Sequence, residues 1–406
     1  MNIWFISKYA RPLEYGFGTR QFYLSSEFTK QGNQSIVICS DSNHNGQYPR
    51  FKRTYNIEYH HQVTTCIIRT KKYVRSFGIK RILSWIDFEM KLFLLNKRNF
   101  IKPDVVIISS LSLLTILNGY YLKKKFKARL VFEIRDIWPL TPVKIGGISK
   151  KNLLIKFLGI IEKFGYKNSD LIIGTMPNLK DHVHKVLGYE RDVFCIPQGF
   201  DSKFLEEQLP LNQNFLDKYY PKNKFIVGYA GSVGASNALE TFIDCAFKMR
   251  EHDDIHFLVI GNGDKRDYYI SKTKNLKNIV FAPKIKRQQV QNALKLCDIL
   301  YDSVKDNSLY KFGLSRNKWI DYMLASKPML VSYNGFKSMI NEADNGFFID
   351  PEDSEMLKNK ILELYSYPKK EIEKIGANGR CWVLENRNYK KLAEEYILQI
   401  SKIENN

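Results

Sequence analysis

Short apolar, β-branched runs alternate with longer amphipathic stretches from one end of this sequence to the other. That alternation is the pattern of βαβ units feeding a parallel sheet. Strands are expected near Ile3 to Ser7, Ser35 to Cys39, Cys66 to Arg69, Asp104 to Ile108, Leu130 to Ile134, Leu171 to Gly174 and Val193 to Ile196. A second series covers Phe225 to Ala230, His256 to Ile260, Ile279 to Phe281, Ile299 to Asp302, Pro328 to Ser332 and Phe347 to Ile349. Between the two series stand Pro197-Gln198-Gly199-Phe200-Asp201 and a polar stretch to Asn223. The fold class read from this is α/β, with two doubly wound domains joined near residue 200 and a natural site in the cleft between them. A chain of 406 residues is too long for one ordinary core, which agrees. The expected boundaries are 1–200, 201–385 and a C-terminal helix, 386–406, that packs back on the first domain.

Charge divides the chain in the same place. Residues 1–200 carry 32 basic and 14 acidic side chains, a net of +18, whereas residues 201–406 carry 31 and 28, a net of +3. An asymmetry of this kind points to one domain facing an anionic partner, with nucleic acid, an anionic membrane face and a phosphorylated small molecule all open. The six cysteines form no C-x-x-C pair and have no histidine at ligand spacing, which argues against a zinc site or a disulfide framework. The N-terminal apolar run is too short for a signal peptide and lacks a basic n-region, so a cytoplasmic chain is expected. Val105 to Leu122 has no charge over 18 residues, the lower limit for a membrane span. It is read instead as a buried strand followed by a helix, because Ser109 and Ser110 break the β-branched run.

Lys80 to Arg98 holds Ile82, Leu83, Ile86, Met90, Phe93 and Leu94 at helical spacing with basic residues at both ends. Such a stripe usually faces a core, and that reading is favoured here. The sharper alternative is an interfacial helix on anionic lipid, to which Lys123-Lys124-Lys125-Phe126-Lys127 would add.

Glycine turns follow several strands. Gly16 and Gly18 precede a helix that starts near Arg20, Gly231-Ser232-Val233-Gly234 follows Ala230, and Gly261-Asn262-Gly263 with Arg266 follows Ile260. Backbone N–H groups at such turns approach anions, although a tight turn without ligand has the same appearance. In Phe312 to Met323, Ser315 is a plausible N-cap, so that Asn317 and Lys318 would meet a diphosphate beside Arg316. Asp321 falls one turn later, suited to ribose hydroxyls; an ordinary capped helix is the alternative. Glu133, Arg135 and Asp136 end a strand before Trp138-Pro139, either facing the cleft or pairing among themselves.

Together these motifs resemble a retaining, nucleotide-sugar-dependent glycosyltransferase of family 4 with the GT-B arrangement of two Rossmann-like domains facing across a cleft. The resemblance is carried by Glu133 to Pro139, Ile196 to Asp201 and Ser315-Arg316-Asn317-Lys318 with Asp321, and is nearest to the amino-sugar transferases of bacterial O-antigen and capsule assembly. It implies a donor site of Gly231, Ser232, Gly234, Gly261, Asn262, Gly263, Arg266, Ser315, Arg316, Asn317 and Asp321, with the base against Lys284 and Ile285. Gly16, Gly18 and Arg20 would meet the acceptor, and Glu133, Arg135, Asp136 and Lys318 would act in catalysis. The co-substrate would be a UDP-sugar, with no metal or other cofactor, since no Asp-x-Asp is present. The acceptor would be a polyprenyl-diphosphate-linked saccharide at the inner face of the membrane, where the protein would be peripheral. Two departures stand out: the first acid of the family's Glu-x7-Glu pair falls at Gly313, and Ala235-Ser236-Asn237-Ala238-Leu239 lacks the Arg and Lys of many relatives. A nucleotide-sugar 2-epimerase on the same fold is a rival. A nucleic-acid-binding protein is a second, disfavoured because no RRM, KH or helix-turn-helix signature is present, so no specific nucleic-acid partner is expected.

Overall fold

The computed structural model describes residues 1–16, 18–42, 48–49, 51–73, 78–110 and 112–403, and within them the chain forms two compact units. The first comprises Met1–Gly199 with Tyr389–Asn406, and the second Phe200–Asn388.

In the first unit the strands are β1 (Asn2–Ile6), β2 (Gln34–Ser40), β3 (Tyr55–His60), β4 (Val63–Ile68), β5 (Val105–Ser109), β6 (Arg129–Ile134), β7 (Leu171–Gly174) and β8 (Val193–Cys195). They form one sheet in the order β3-β4-β2-β1-β5-β6-β7-β8. Neighbours run parallel except β3, which pairs antiparallel with β4 at the edge. That strand escapes the sequence pattern because Tyr-Asn-Ile-Glu-Tyr-His has no apolar run, and no residue of it is fully buried. The central strands are buried along almost their whole length, as a sheet covered on both faces requires. The strand order reverses between β1 and β5, so the loops after Ile6 and Ser109 open at a switch point.

In the second unit β9 (Phe225–Ala230), β10 (Ile255–Ile260), β11 (Ile279–Ala282), β12 (Ile299–Ser303), β13 (Met329–Ser332) and β14 (Gly346–Ile349) form a parallel sheet in the order β11-β10-β9-β12-β13-β14. One core layer packs around Trp319, Ile320 and Met323 of the helix Asn317–Leu324, and the other around Phe242, Phe257 and Leu357. Here the order reverses between β9 and β12.

The chain then returns to the first unit. The helix Tyr389–Ser401 packs along the helix Arg20–Lys30, with Tyr396 set between the rings of Phe5 and Phe28. Val105 to Leu122 divides into β5 and the start of the helix Thr115–Phe126, with residue 111 outside the described residues. Among the described residues no helix is long and apolar enough to cross a membrane.

One expectation is reversed. The helix Ile79–Leu94 turns Ser84, Trp85, Phe88 and Leu92 inward, so most of the stripe read as a core face points away from the core. Leu83, Ile86, Met90, Phe93 and Leu94 are exposed, and only Ile82 is partly covered. The bulky Trp85 and Phe88 take the inward positions, one residue out of phase with that stripe.

Candidate active site

At the switch point of the second unit, β9 ends in the turn Gly231 to Gly234 and β10 ends in the turn Gly261 to Gly263. These turns pack directly on each other: Val233 N–H donates to the Asn262 carbonyl at 3.0 Å, and Gly231 N–H to the Ile260 carbonyl at 3.0 Å. A Cβ at Gly261 would lie 1.9 Å from the Gly231 oxygen, on a backbone at φ +147°. One at Gly263 would lie 2.1 Å from the Val233 oxygen. The repeated glycines are therefore needed first for backbone to meet backbone, and this brings both turns to the same end of the sheet. Ser232, Asn262 and Gly263 are exposed there.

Against this floor stands the start of the helix Asn317–Leu324. Its N-cap is Arg316, not Ser315 as the sequence suggested, and no side chain caps it. Ser315 lies just before the turn, half-buried, and Asn317 is exposed as the first helical residue. The organising group is Asp302, at the end of β12 and completely buried. It accepts from Lys318 Nζ at 2.8 Å and Trp319 Nε1 at 2.7 Å and pairs with Arg316 at 2.8 Å. Burial alone would raise the Asp302 carboxyl, but Arg316 and Lys318 outweigh it and hold the group below the usual range. Lys318 Nζ also donates to Tyr229 Oη at 2.9 Å and lies 4.1 Å from that ring's centroid. Burial lowers the lysine to about 8 against the opposing pull of Asp302. Arg316 donates to Asn237 Oδ1 at 2.6 Å and the Ser303 carbonyl at 3.0 Å. The segment that lacks the family's Arg and Lys is thus met by Arg316 from the following helix.

Asp302, Tyr229 and Asn237 were not singled out from the sequence. The available signal for Asp302 was a carboxylate closing a buried strand at its carboxyl end, where open α/β sheets bind ligands.

Asp321 is not open to a ribose as expected. Arg287 holds both carboxylate oxygens, at 2.7 and 2.5 Å, and stacks 4.0 Å from the Phe204 ring centroid. Burial raises the Asp321 carboxyl, with Arg287 opposing. Through Arg287 the helix is tied to the loop after β11, in which Lys284 is exposed and Ile285 packs on the core. Arg266 sits apart from the helix start: it donates to the Phe281 carbonyl at 3.1 Å. At Gly313 the backbone has φ +89° as the chain leaves the short helix Ser308–Phe312, a conformation that disfavours a carboxylate-bearing residue.

In the first unit the expected group separates into two. Glu133 and Arg20 are fully buried and paired at 3.0 Å; Ser109 Oγ donates to Glu133 at 3.1 Å, and Arg20 donates to the Ile196 carbonyl at 2.7 Å and to that of Pro197. Both were expected to face the acceptor, but they tie helix, sheet and the chain leaving β8 together inside the unit. Asp136 accepts from Trp138 Nε1 at 2.9 Å and Thr141 Oγ1 at 2.5 Å, fastening the turn that follows β6. Arg135 is different: its guanidinium is buried, which lowers it from its usual value, and its Nε has no hydrogen-bond partner among the described residues. Gly16 (φ +127°) closes the turn Leu13–Tyr15, and a Cβ at Gly18 would lie 3.0 Å from the Tyr23 ring.

Also missed was Lys8, just beyond β1. It is 1% exposed, donates to the Ser42 carbonyl at 3.2 Å, and is lowered to about 7 by burial against the pull of Asp41 and Glu89. Glu89 is raised to about 7 by burial against hydrogen bonds from Thr115, Asn118 and Ser112. Beside Lys8, Tyr9 Oη receives hydrogen bonds from Trp85 Nε1 at 2.6 Å and Arg81 Nε at 3.1 Å.

Comparison with known proteins places this fold. Residues 16–204 match the model of Glycosyltransferase Family 4, and residues 224–367 that of Glycosyl transferases group 1. No curated protein matches the chain. Among solved structures, sucrose-phosphate synthase of Thermosynechococcus elongatus superposes with a TM-score of 0.74 at 16% identity, covering 99% of this chain and 98% of that one. The E. coli trehalose-6-phosphate structure bound with UDP-2-fluoro glucose gives 0.75 at 11% identity, with 100% of both chains covered. HepE of Anabaena in complex with UDP and glucose gives 0.64 at 13%, covering 98% of this chain and 99% of that one. At these identities the likeness is one of fold, the GT-B fold of two parallel-sheet α/β domains.

Proposed function

For a chain that is a glycosyltransferase of the GT-B type, carrying glycosyltransferase domains in both units, we propose retaining transfer of an N-acetylated amino sugar from a UDP-sugar. The acceptor is a polyprenyl-diphosphate-linked saccharide in surface polysaccharide synthesis, such as O-antigen or capsule, met at an anionic membrane face to which the protein is peripheral. The observation that carries the donor half of this reading is Asp302: one buried carboxylate gathers Arg316 and Lys318 at the free N–H groups of a helix start, opposite two interlocked glycine turns. The ensemble suits a diphosphate, because cations and helix dipole act together on an anion at that point.

In this reading Gly231, Ser232, Gly234, Asn262, Gly263, Ser315 and Asn317 line the diphosphate, Lys284 and Ile285 meet the base, and Asp321, held by Arg287, is given no ribose contact. Catalysis rests on stabilising the leaving diphosphate as its charge develops, a task given to Lys318 and Arg316. Their charges and the helix dipole neutralise it, so no metal ion is assigned a part. Arg135, with an unsatisfied buried N–H, takes the acceptor's phosphate, and Asp136 orients the acceptor from the same turn. HepE, bound with UDP and glucose on the same fold, supports the choice of donor class.

A thermal-shift panel of uridine and guanosine diphosphates and their sugars tests the donor half, since a ligand that binds only the folded state raises apparent stability with concentration. A rise with UDP and UDP-sugars is expected; silence across the panel overturns the donor site. Sugar isomerisation by the protein and donor alone, without acceptor, would replace transfer by epimerisation.

A further inference from the structure

We infer that the outward face of the helices Ile79–Leu94, Thr115–Phe126 and Leu153–Asn168 is the surface on which the protein lies against an anionic lipid bilayer. This rests on the proposed membrane-borne acceptor and adds to it the face that docks. The three helices form one layer. The chain crosses from β4 to β5, β6 and β7 in one direction along the sheet, so right-handed connections put all three on the same side. The first packs on the second and the second on the third.

Two of these helices show water a row of large apolar side chains. Ile79, Met90 and Leu94 are 76%, 60% and 75% exposed, and Leu153, Phe157 and Ile160 are 81%, 47% and 68% exposed. Scattered single apolar residues on a surface mean little, but two rows on the first and third helices of one layer call for an apolar partner. Across the same layer runs a band of rings and lysines. Phe93 meets Tyr121 at 4.8 Å and Tyr120 meets Phe164 at 5.1 Å. Lys97 stands 5.7 Å and Lys125 5.5 Å from the Tyr121 ring, with Lys124 5.5 Å from Tyr120. Tyrosine and lysine both carry an apolar body with a polar end, the combination that suits the boundary between headgroups and acyl chains.

Charge selects the occupant. Residues 79–168 hold 18 Lys and Arg against 6 Asp and Glu, a net of +12 out of the chain's +21. Three of the six acids are used internally, Glu133 on Arg20, Glu162 on His182 and Glu89 on Thr115 and Asn118, and Asp87 is taken by Lys91. Lys124, Lys125 and Lys127 are exposed, and the excess of basic over acidic side chains attracts anionic headgroups. A second copy of the same face would bring one +12 surface against another, and nucleic acid would use the lysines but not the leucines, isoleucines and methionine.

The test is co-sedimentation of the full chain with vesicles of phosphatidylcholine alone or mixed equally with phosphatidylglycerol. Met90→Glu with Leu94→Glu alters the first helix, Phe157→Glu with Ile160→Glu the third, and Leu398→Glu, exposed on the C-terminal helix, serves as control. Wild type should pellet with the anionic vesicles and be released by salt, each pair should weaken partitioning by at least ~tenfold, and the control should behave as wild type. Melting temperature and the UDP shift should be unchanged in all three, showing that each variant is folded with its donor unit intact. Face variants that bind anionic vesicles as wild type does overturn the face while leaving the membrane reading standing. Wild type that ignores both vesicles, or binds both equally, overturns the anionic membrane with it. A dimer that these substitutions dissociate assigns the face to a second copy instead.

Discussion

Asp302 shows how little freedom the cations of the proposed donor site have. A carboxylate with no exposure, paired to Arg316 and Lys318, fixes where two positive groups stand before any ligand arrives, so they need not be ordered on binding. Lys318→Ala should lower turnover about 10²- to 10³-fold, as removal of a charge-stabilising donor does, and steady-state kinetics would show it. The pH dependence follows from the lysine's lowered value of about 8. Lysine is charged below its pKa, so affinity for the nucleoside diphosphate should be full at neutral pH and decline as pH rises through about 8. Calorimetric titrations across that range would register the decline. Since Asp302 raises Lys318, Asp302→Asn should move the decline to lower pH, and Lys318→Arg should move it to higher pH. A profile unchanged in both variants would mean that another group titrates. Gly313→Glu, which restores the family's acid, should instead cost about 1–3 kcal/mol in denaturant unfolding, because φ +89° strains a side-chain-bearing residue.

The helix Tyr389–Ser401 illustrates how an element far along the chain completes a core begun at its start. Tyr389, Leu392, Ala393, Tyr396 and Ile400 are buried against Phe5, Phe22 and Phe28 in the first unit. Tyr396→Ala should cost about 3–5 kcal/mol, the range for a large buried aromatic. Tyr396 Oη is buried with no hydrogen-bond partner among the described residues, so Tyr396→Phe should leave stability unchanged or raise it. Urea midpoints of the two variants, moving in these different ways, would distinguish loss of packing from loss of a polar contact. The helix Ile79–Leu94 gives the opposite lesson. Its apolar residues cover most of its circumference, and a stripe chosen by spacing alone has no means of telling which arc meets the sheet.

The two units differ in charge: residues 201–406 carry a net of +3 and residues 1–200 a net of +18. Because the chain re-enters the first unit at Tyr389, residues 1–200 are not a complete folding unit, while Phe200–Asn388 is contiguous. A fragment of residues 1–200 should therefore aggregate or melt well below the full chain, exposing Phe28 and the other side chains that the last helix covers. A fragment of 200–388 should give dispersed NMR spectra and keep its UDP shift. A soluble, cooperatively melting 1–200 fragment would show the last helix to be dispensable.

Sequence alone determined the class and the course of the fold. Most strands of both series lie where apolar runs end at glycine, proline or serine, since burial on both faces of a sheet writes itself into consecutive apolar residues. It also brought out the glycine turns and the segment Ser315 to Asp321, because close backbone approach and helix starts have local signatures. Tertiary structure alone decided which charged groups meet. That Glu133 turns to Arg20, that Arg287 occupies Asp321, and that Asp302 rather than a nearer residue holds Lys318 all depend on elements 16 to 113 residues apart in the chain arriving side by side. An ion pair formed between separate elements has no spacing rule in the sequence, and neither has the choice of which arc of an apolar helix stays in water.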